Sequence, residues 1–350
     1  MAYTHLFHDS FDHEAAAADL ATKWSSYSSL TGIGGAYAFV GSQGLSLTGS
    51  NGLWIGLSPS DGTKFVMAAR VKFVALPSTA WHLASFANTD GVYGGNQYFH
   101  VSLSVSGSTF VAYRDGYGLP PYTGMATVLG TSPAILKQGV WYWIAVKGTI
   151  HDSTGTIDVY VNGELVWSLS SKDTKCTYGS GTWNLFCIGG GGATTAYVDE
   201  IHIGEGDAVP PERRCDCHYP NAVGSDDAWS KSAGNAYECL DDAQVNTSVY
   251  IYTSTLNAQT SVNIEALKNA GGTIAGVQVS CYATKMDANA AGFKIYLRLG
   301  GAGTRYYSNE FFPSNGSWSF FHWIWLTNPA GGSWTESDFN SLEAGVEKTT

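Results

Sequence analysis

Residues 64–73 read KFVMAARVKF, a stretch in which apolar and polar side chains alternate. Successive side chains of a β-strand point to opposite faces of a sheet, so this period of two is typical of a strand with one buried face. Lys64, Arg70 and Lys72 belong to the polar face. The apolar face consists of Phe65, Met67, Ala69, Val71 and Phe73. The stretch therefore predicts a half-buried strand.

The same alternation recurs along the chain and is interrupted by turn signals. Residues 157–169, IDVYVNGELVWSL, hold two alternating runs on either side of Asn162-Gly163, the dipeptide that most strongly favours a two-residue β-hairpin. Phe293–Leu299 alternates in the same way. The 42 glycines and the charged fraction of 13% fit short strands joined by turns. Together these features predict sandwiches of antiparallel sheets.

A chain of 350 residues is long enough for two domains of ordinary size. The alternation stops at residues 204–214, GEGDAVPPERR, where two prolines and a cluster of charges cannot continue a central strand. The predicted fold class is all-β, with two antiparallel β-sandwich domains at residues 1–206 and 215–350. Residues 207–214 are the predicted linker.

One short helix is predicted near the C-terminus. Thr335 and Asp338 have the three-residue spacing of a capping box. Phe339, Leu342 and Val346 would then share one face at helical spacing. We expect this face to pack on the second domain.

Composition excludes several classes of partner. The net charge of −11 argues against nucleic acid, because affinity for a phosphate backbone comes mostly from Lys and Arg. No stretch approaches the roughly 18 consecutive apolar residues of a membrane span, so no membrane partner is expected. The N-terminal residues lack a basic segment followed by an apolar one, and no signal peptide is predicted.

The six cysteines are an even number and permit three disulfides. Without a secretion signal, reduced and largely buried thiols are the expected state. Residues 215–218, CDCH, superficially suggest a metal site, but zinc sites usually space their cysteines about two to four residues apart and need a second ligand pair. No metal ligand is therefore predicted.

The first two hundred residues resemble the concanavalin A-like, laminin G-like jelly roll. The resemblance rests on HDSFD (8–12), KW (23–24), the hairpin IDVYVNGE (157–164) and YVDEIHI (197–203). It implies that the first and last strands of the domain are neighbours in one sheet. Some laminin G-like domains carry calcium at the rim of the sandwich. The resemblance therefore implies either no cofactor or, as the alternative, calcium. Asp61, Asp90 and Asp115 are loop acids that would contribute, although no EF-hand-like spacing supports them.

Residues 215–347 resemble a C-terminal module of tailed-bacteriophage virion proteins. The matching phrases are HYPN (218–221), DAW (227–229), NAY (235–237), WLTNP (325–329) and WTESDFNSLEAGV (334–346). The resemblance implies a structural or adhesive virion component made in the host cytoplasm, such as a capsid decoration, head fibre or tail-tip protein. The implied partners are other virion proteins, further copies of the chain and a host-surface glycan.

Jelly rolls also house glycan hydrolases, which need two carboxylates that flank one glycosidic bond. Asp199 and Glu200 are adjacent, so a regular strand would point them to opposite faces, and Glu205 lies past Gly204. These acids are predicted to be solvated at the end of a strand. We therefore expect no enzymatic activity; the alternatives to a virion component are a free lectin module and a glycan depolymerase.

Sugar recognition is the expected binding chemistry, because aromatic faces pack on the C–H side of a sugar ring while polar groups bind its hydroxyls. The candidate ligand-binding residues, in two loops, are Tyr93, Asn96, Tyr98, Tyr113, Arg114, Asp115, Tyr117 and Tyr122. Alternatively, these tyrosines fill protein–protein contacts in an assembled particle. A third aromatic run, residues 320–325, predicts a strand that is buried on both faces or has one face pressed on a neighbouring subunit.

Overall fold

The chain is an all-β sandwich protein, as predicted. The computed structural model describes residues 4–11, 20–24, 26–27, 32–39, 43–48, 52–88, 98–114, 116–117, 127–177, 180–189, 194–242, 246–268, 271–287, 289–301 and 303–350. The chain divides into two compact units, Met1–Cys215 and Asp216–Thr350. None of the helices within the described residues is long and apolar enough to cross a membrane.

The first unit contains sixteen of the described strands and one α-helix. They are β1 Thr4–Asp9, α1 Leu20–Lys23, β2 Ser26–Tyr27, β3 Gly32–Gly34, β4 Gly44–Thr48, β5 Gly52–Gly56, β6 Lys64–Phe73, β7 Trp81–Asn88, β8 Tyr98–Ser106, β9 Thr109–Arg114, β10 Gly116–Tyr117, β11 Thr127–Thr131, β12 Trp141–Thr149, β13 Gly155–Val161, β14 Glu164–Lys172, β15 Leu185–Gly189 and β16 Thr195–Glu205. A short 3-10 helix spans Gly35–Tyr37.

Two sheets form the sandwich of the first unit. One has the order β14-β13-β12-β6-β16-β4-β3, with β1 also paired to β16. The other has the order β11-β9-β8-β7-β15-β5-β2, with β10 paired to β8. One hydrophobic core contains side chains of both sheets, and the ring of Phe65 stacks on that of Phe86 with 4.3 Å between centroids. The first strand pairs with the last, antiparallel, as the jelly-roll resemblance implies.

The β13–β14 hairpin is confirmed. Val161 pairs with Glu164, and the two turn residues between them, Asn162 and Gly163, have φ angles of 52° and 87°. Positive φ at both central positions is the requirement of a type I′ turn, which Asn-Gly meets at little cost.

Strand β6 has the predicted bounds and the predicted core face, but its other face is not exposed. Val66 and Ala68 are fully buried, because residues of the predicted linker lie against this outer face of the sheet. Val209 packs with the cluster formed by Ala68, Trp143 and Ala145. Residues 207–214 therefore belong to the first unit, where they lie on the outer face of its sheet.

The second unit contains the remaining described elements. They are β17 Pro220–Asp227, β18 Ser230–Lys231, β19 Ile251–Tyr252, β20 Gln259–Ile264, β21 Val277–Ala283, β22 Phe293–Leu299, β23 Arg305–Phe311, β24 Ser319–Trp325, α2 Glu336–Asn340 and β25 Leu342–Lys348, with a 3-10 helix at Tyr237–Cys239. A five-stranded sheet, β17-β20-β25-β22-β23, packs against the two-stranded ribbon β21–β24. Phe293, Ile295 and Leu297 face the ribbon within this core, as their alternation predicts.

The C-terminal helix is present, but it is shorter than the sequence suggests. Thr335 and Asp338 form the predicted capping box, and Phe339 is buried in the core of the second unit. The helix ends at Asn340, and Leu342 and Val346 lie on strand β25. A spacing of four residues fits one face of a helix and one face of a strand equally well. Residues 342–348 form a strand because β25 pairs with both β20 and β22.

A charged network lies on the other face of the five-stranded sheet. The carboxylate of Asp226 accepts hydrogen bonds from Tyr296 Oη (2.7 Å), Arg298 Nη2 (2.6 Å) and Arg305 Nη2 (2.6 Å). The ring of Tyr296 can lie over the neighbouring strand because the residue paired with it, Gly345, has no side chain. A Cβ at position 345 would lie 2.3 Å from the tyrosine ring.

Candidate binding surface

The predicted ligand-binding residues fall at one end of the second sheet of the first unit, as far as the structure describes them. Strand β10 pairs with β8, so Tyr117 is opposite Tyr98 in the backbone register. Tyr113, on β9, is opposite Ser102 of β8. The structure thus brings Tyr98, Tyr113, Arg114 and Tyr117 onto neighbouring strands. Tyr93, Asn96, Asp115 and Tyr122 lie outside the described residues.

Two of these residues have described side chains. Tyr113 is half-buried, and burial raises the pKa of its hydroxyl. Arg114 forms an ion pair with Asp173, which holds the guanidinium at the end of β9. Sugar binding by this set stays a prediction.

Of the predicted calcium ligands, Asp61 accepts hydrogen bonds from Thr63, and the other two acids lie outside the described residues.

The prediction of solvated acids on β16 is wrong. Asp199, Glu200 and Glu205 are all buried, because the strand continues to Glu205 and residues 209–215 cover its outer face. Asp199 accepts hydrogen bonds from the backbone N–H of Phe39 and of Glu200, both at 2.8 Å. Glu205 accepts from the N–H of Asp61 at 2.7 Å. The carboxylates of Asp199 and Glu205 therefore bind backbone groups.

The ribbon β21–β24 of the second unit has an aromatic outer face that the sequence only partly revealed. Tyr282 pairs with Phe320, and Ser280 pairs with His322. Phe321, Trp323 and Trp325, the alternate residues of β24, face the core. Phe320 and His322 consequently lie on the opposite face, where they are half-buried.

Further rings extend this face into a continuous patch, which we call the ribbon surface. The ring of Trp318 stacks on that of Tyr282, with 5.7 Å between centroids and 13° between planes. Tyr250 lies 6.3 Å from Trp318 and 5.8 Å from Tyr252, which is 51% exposed. The ribbon surface is defined by Tyr250, Tyr252, Tyr282, Trp318, Phe320 and His322.

The ribbon surface has the chemistry of a binding platform. Half-exposed rings supply apolar faces, while Gln278 and Ser280, hydrogen-bonded to each other at 3.0 Å on the outer face of β21, supply polar groups. The sequence signal was the alternation in residues 320–325, which predicted the faces of β24. It could not reveal Tyr250 and Tyr252, because these residues precede the ribbon by more than twenty positions.

No protein-family model and no curated protein matches the chain. Among solved structures, a carbohydrate esterase from Shiga toxin-encoding bacteriophage phi24B is 11% identical with a TM-score of 0.38, and the match covers 59% of this chain and 100% of that chain. Domain 4 of a Geobacillus stearothermophilus arabinanase, in complex with arabinotriose, is 16% identical with a TM-score of 0.36 and coverages of 59% and 94%.

A sialidase from Trypanosoma rangeli is 16% identical with a TM-score of 0.31, and the match covers 46% of this chain and 25% of that chain. The chain therefore spans about a quarter of the sialidase's length. At TM-scores this low, none of these similarities assigns an activity or a ligand to this chain.

Proposed function

We propose that the protein is a non-enzymatic structural and adhesive component of a tailed-bacteriophage particle. The observation that supports this proposal is where the virion-like phrases fall in the second unit. They supply core residues, the helix cap and main-chain anchors of the second unit, so the residues that carry the resemblance are ones that specify the fold of this unit.

Individual residues of the phrases illustrate this. Trp334 is buried and donates from Nε1 to the carbonyl of Trp325 at 2.9 Å. Trp229 Nε1 donates to the carbonyl of Ala258, also at 2.9 Å. Asn340 accepts from the N–H of Leu267 at 2.8 Å. Side chains in these roles specify a fold, which is why a module with this sequence signature is expected to keep its structure in different particle positions.

Mass spectrometry of purified particles of the phage that encodes the chain tests this proposal. We expect peptides from both units, with a copy number measured against the major capsid protein. Hundreds of copies would identify a capsid decoration, whereas a handful would identify a tail-tip or fibre protein. Absence of the chain from washed, intact particles would contradict the proposal and favour a free lectin.

We propose further that the ribbon surface contacts carbohydrate. Removing one stacking ring by Trp318→Ala is expected to weaken binding to a glycan-array ligand about fivefold, because an aromatic contact contributes roughly 1 kcal/mol beyond its buried area. The measurement compares the wild-type chain with the variant on an array of bacterial surface glycans. Phe312→Ala, which removes a 64% exposed ring outside the ribbon surface, is the matched control.

Equal binding by both variants and the wild-type chain would contradict a role for the ribbon surface. Loss of binding in Tyr113→Ala alone would assign recognition to the predicted loops of the first unit instead. Recovery of the bound glycan intact would support a non-enzymatic role, and release of fragments would favour a depolymerase.

A further inference from the structure

The outer face of the first sheet carries a buried cluster of metal-ligating side chains. Strand β16 bulges between Asp199 and His202, which pair with Arg70 and Ala68 of β6 and therefore lie on one face. Glu200, within the bulge, has a φ of 53°, a left-handed conformation that is uncommon for a residue with a side chain. The bulge turns His202 to the outer face of the sheet, where its ring lies within 4.8 Å of a Glu200 carboxylate oxygen.

The segment that follows β16 adds a thiol to this pair. Glu212 forms an ion pair with Arg70, and the backbone N–H of Cys215 donates to the Glu200 carboxylate. These contacts hold the Cys215 Sγ atom 3.6 Å from His202 Nε2. One ligand atom each from Glu200, His202 and Cys215 lies within 4.8 Å of the other two.

We propose that Glu200, His202 and Cys215 form a zinc site that fastens residues 209–215 to the first sheet. Carboxylate oxygen, imidazole nitrogen and thiolate sulfur are the three donor types that Zn²⁺ takes in proteins. In a tetrahedral site, Zn–N and Zn–S bonds of ordinary length put nitrogen and sulfur about 3.5 Å apart. The observed separation of 3.6 Å matches that edge. This site is independent of the proposed virion function.

Burial shifts the pKa of both the histidine and the cysteine of this cluster towards the neutral form. Burial lowers the pKa of His202 well below its ordinary value, and His5 and Arg213 lower it further, so the imidazole is neutral and able to ligate. Burial, with Glu200, raises the pKa of the Cys215 thiol well above its ordinary value. Binding of Zn²⁺ therefore displaces the thiol proton to solvent as the zinc–sulfur bond forms.

A further histidine and a cavity lie next to the three side chains. The His5 ring lies 5.3 Å from that of His202, and its Nε2 is 3.1 Å from Nδ1 of His8. A cavity of about 270 Å³ adjoins Glu200 and offers an entry path. Its lining residues are Phe39, Arg70, Glu200, Glu212, Arg213 and Arg214.

Cobalt substitution of the full-length chain tests the site. After removal of bound metal by a chelator, one equivalent of Co²⁺ is expected to produce a thiolate-to-metal charge-transfer band and the strong visible bands of a tetrahedral ion. Zn²⁺ should abolish both by competition. Cys215→Ser is expected to lose the charge-transfer band, while the matched control Cys217→Ser keeps it. His202→Gln should weaken the affinity by more than the roughly 10- to 100-fold that loss of an outer hydrogen-bond partner costs.

The Co²⁺ titration of the wild-type chain tests the proposed site even if a variant fails to fold. No charge-transfer band with the wild-type chain would overturn the proposal, as would equal spectra for Cys215→Ser and Cys217→Ser. One zinc per chain by elemental analysis, lost in Cys215→Ser, would support it. None of these readouts depends on whether the chain occurs in a phage particle.

Discussion

Asp226→Asn is expected to destabilise the second unit by about 3 kcal/mol, because it removes the shared carboxylate of a largely buried ion network: Arg305 loses this partner, and Arg298 keeps only a longer pair with Glu343 at 3.9 Å. The side chains of Asp226 and Arg298 are 13% and 5% exposed, and Arg305 is 31% exposed. Asparagine keeps the shape of the side chain but removes the charge that both guanidinium groups bind. Hydrogen exchange measured by mass spectrometry on the full chain reports each unit separately, and protection should fall in peptides of residues 216–350.

The neighbouring acid provides a matched control for this experiment. Asp227 forms an ion pair with Lys231 at the surface, with a carboxylate side chain that is 47% exposed. Exposed pairs contribute about 0–1 kcal/mol, so Asp227→Asn should leave protection nearly unchanged. Equal protection in the two variants would show that the Asp226 network does not stabilise the unit.

The same carboxylate predicts how the second unit responds to acid. Burial opposes ionisation of Asp226, but hydrogen bonds from Arg305 and Tyr296 and the charges of Arg298 and Arg305 outweigh it and lower the pKa below the ordinary value of 3.8. A depressed carboxyl pKa stabilises the fold above the unfolded-state pKa, and this contribution disappears as pH falls through the folded-state pKa. Asp226→Asn should therefore be less sensitive to acidification below about pH 4 than the wild-type chain.

The fold could be predicted where local pattern and tertiary pairing agree. Lys64–Phe73 alternates, and the core between two sheets buries the predicted face. Asn162-Gly163 meets the φ requirement of its turn without help from the rest of the molecule. Leu342 and Val346 were misassigned because their spacing fits two structures, and only the neighbouring strands of β25 distinguish them.

The clusters of chemical interest could not be predicted, because they depend on contacts that alternation does not encode. A regular strand would put Glu200 and His202 on the face opposite Asp199, and only the bulge of β16 changes this. Cys215 joins them because a segment predicted as a linker lies on the sheet. Likewise, the ribbon surface depends on β19, which brings Tyr252 towards a ribbon distant in sequence.

Asp9→Asn is expected to destabilise the first unit by about 4 kcal/mol, because it removes a fully buried charge that pairs with the buried ammonium group of Lys23 at 2.9 Å. Asp9 is fully buried and accepts hydrogen bonds from Lys23 Nζ and Trp24 Nε1, each at 2.9 Å. It also accepts from the N–H of Phe11 at 3.0 Å, which holds that residue at a φ of 62°. Asparagine can replace part of the hydrogen bonding but not the charge.

This effect is measured by chemical denaturation, with hydrogen exchange in peptides of residues 4–88 as the readout. Asp152→Asn is the matched control. Asp152 pairs with Lys175 at 3.3 Å, but its side chain is 71% exposed, so its removal should cost well under 1 kcal/mol. The two variants are expected to differ in stability because Asp9 is buried and Asp152 is exposed, while both acids pair with a lysine at similar distance. A small effect of Asp9→Asn would mean that Lys23 reaches solvent when its partner is lost, and that Trp24 and Phe7, in edge-to-face contact at 5.1 Å, hold this end of the sandwich together by packing alone.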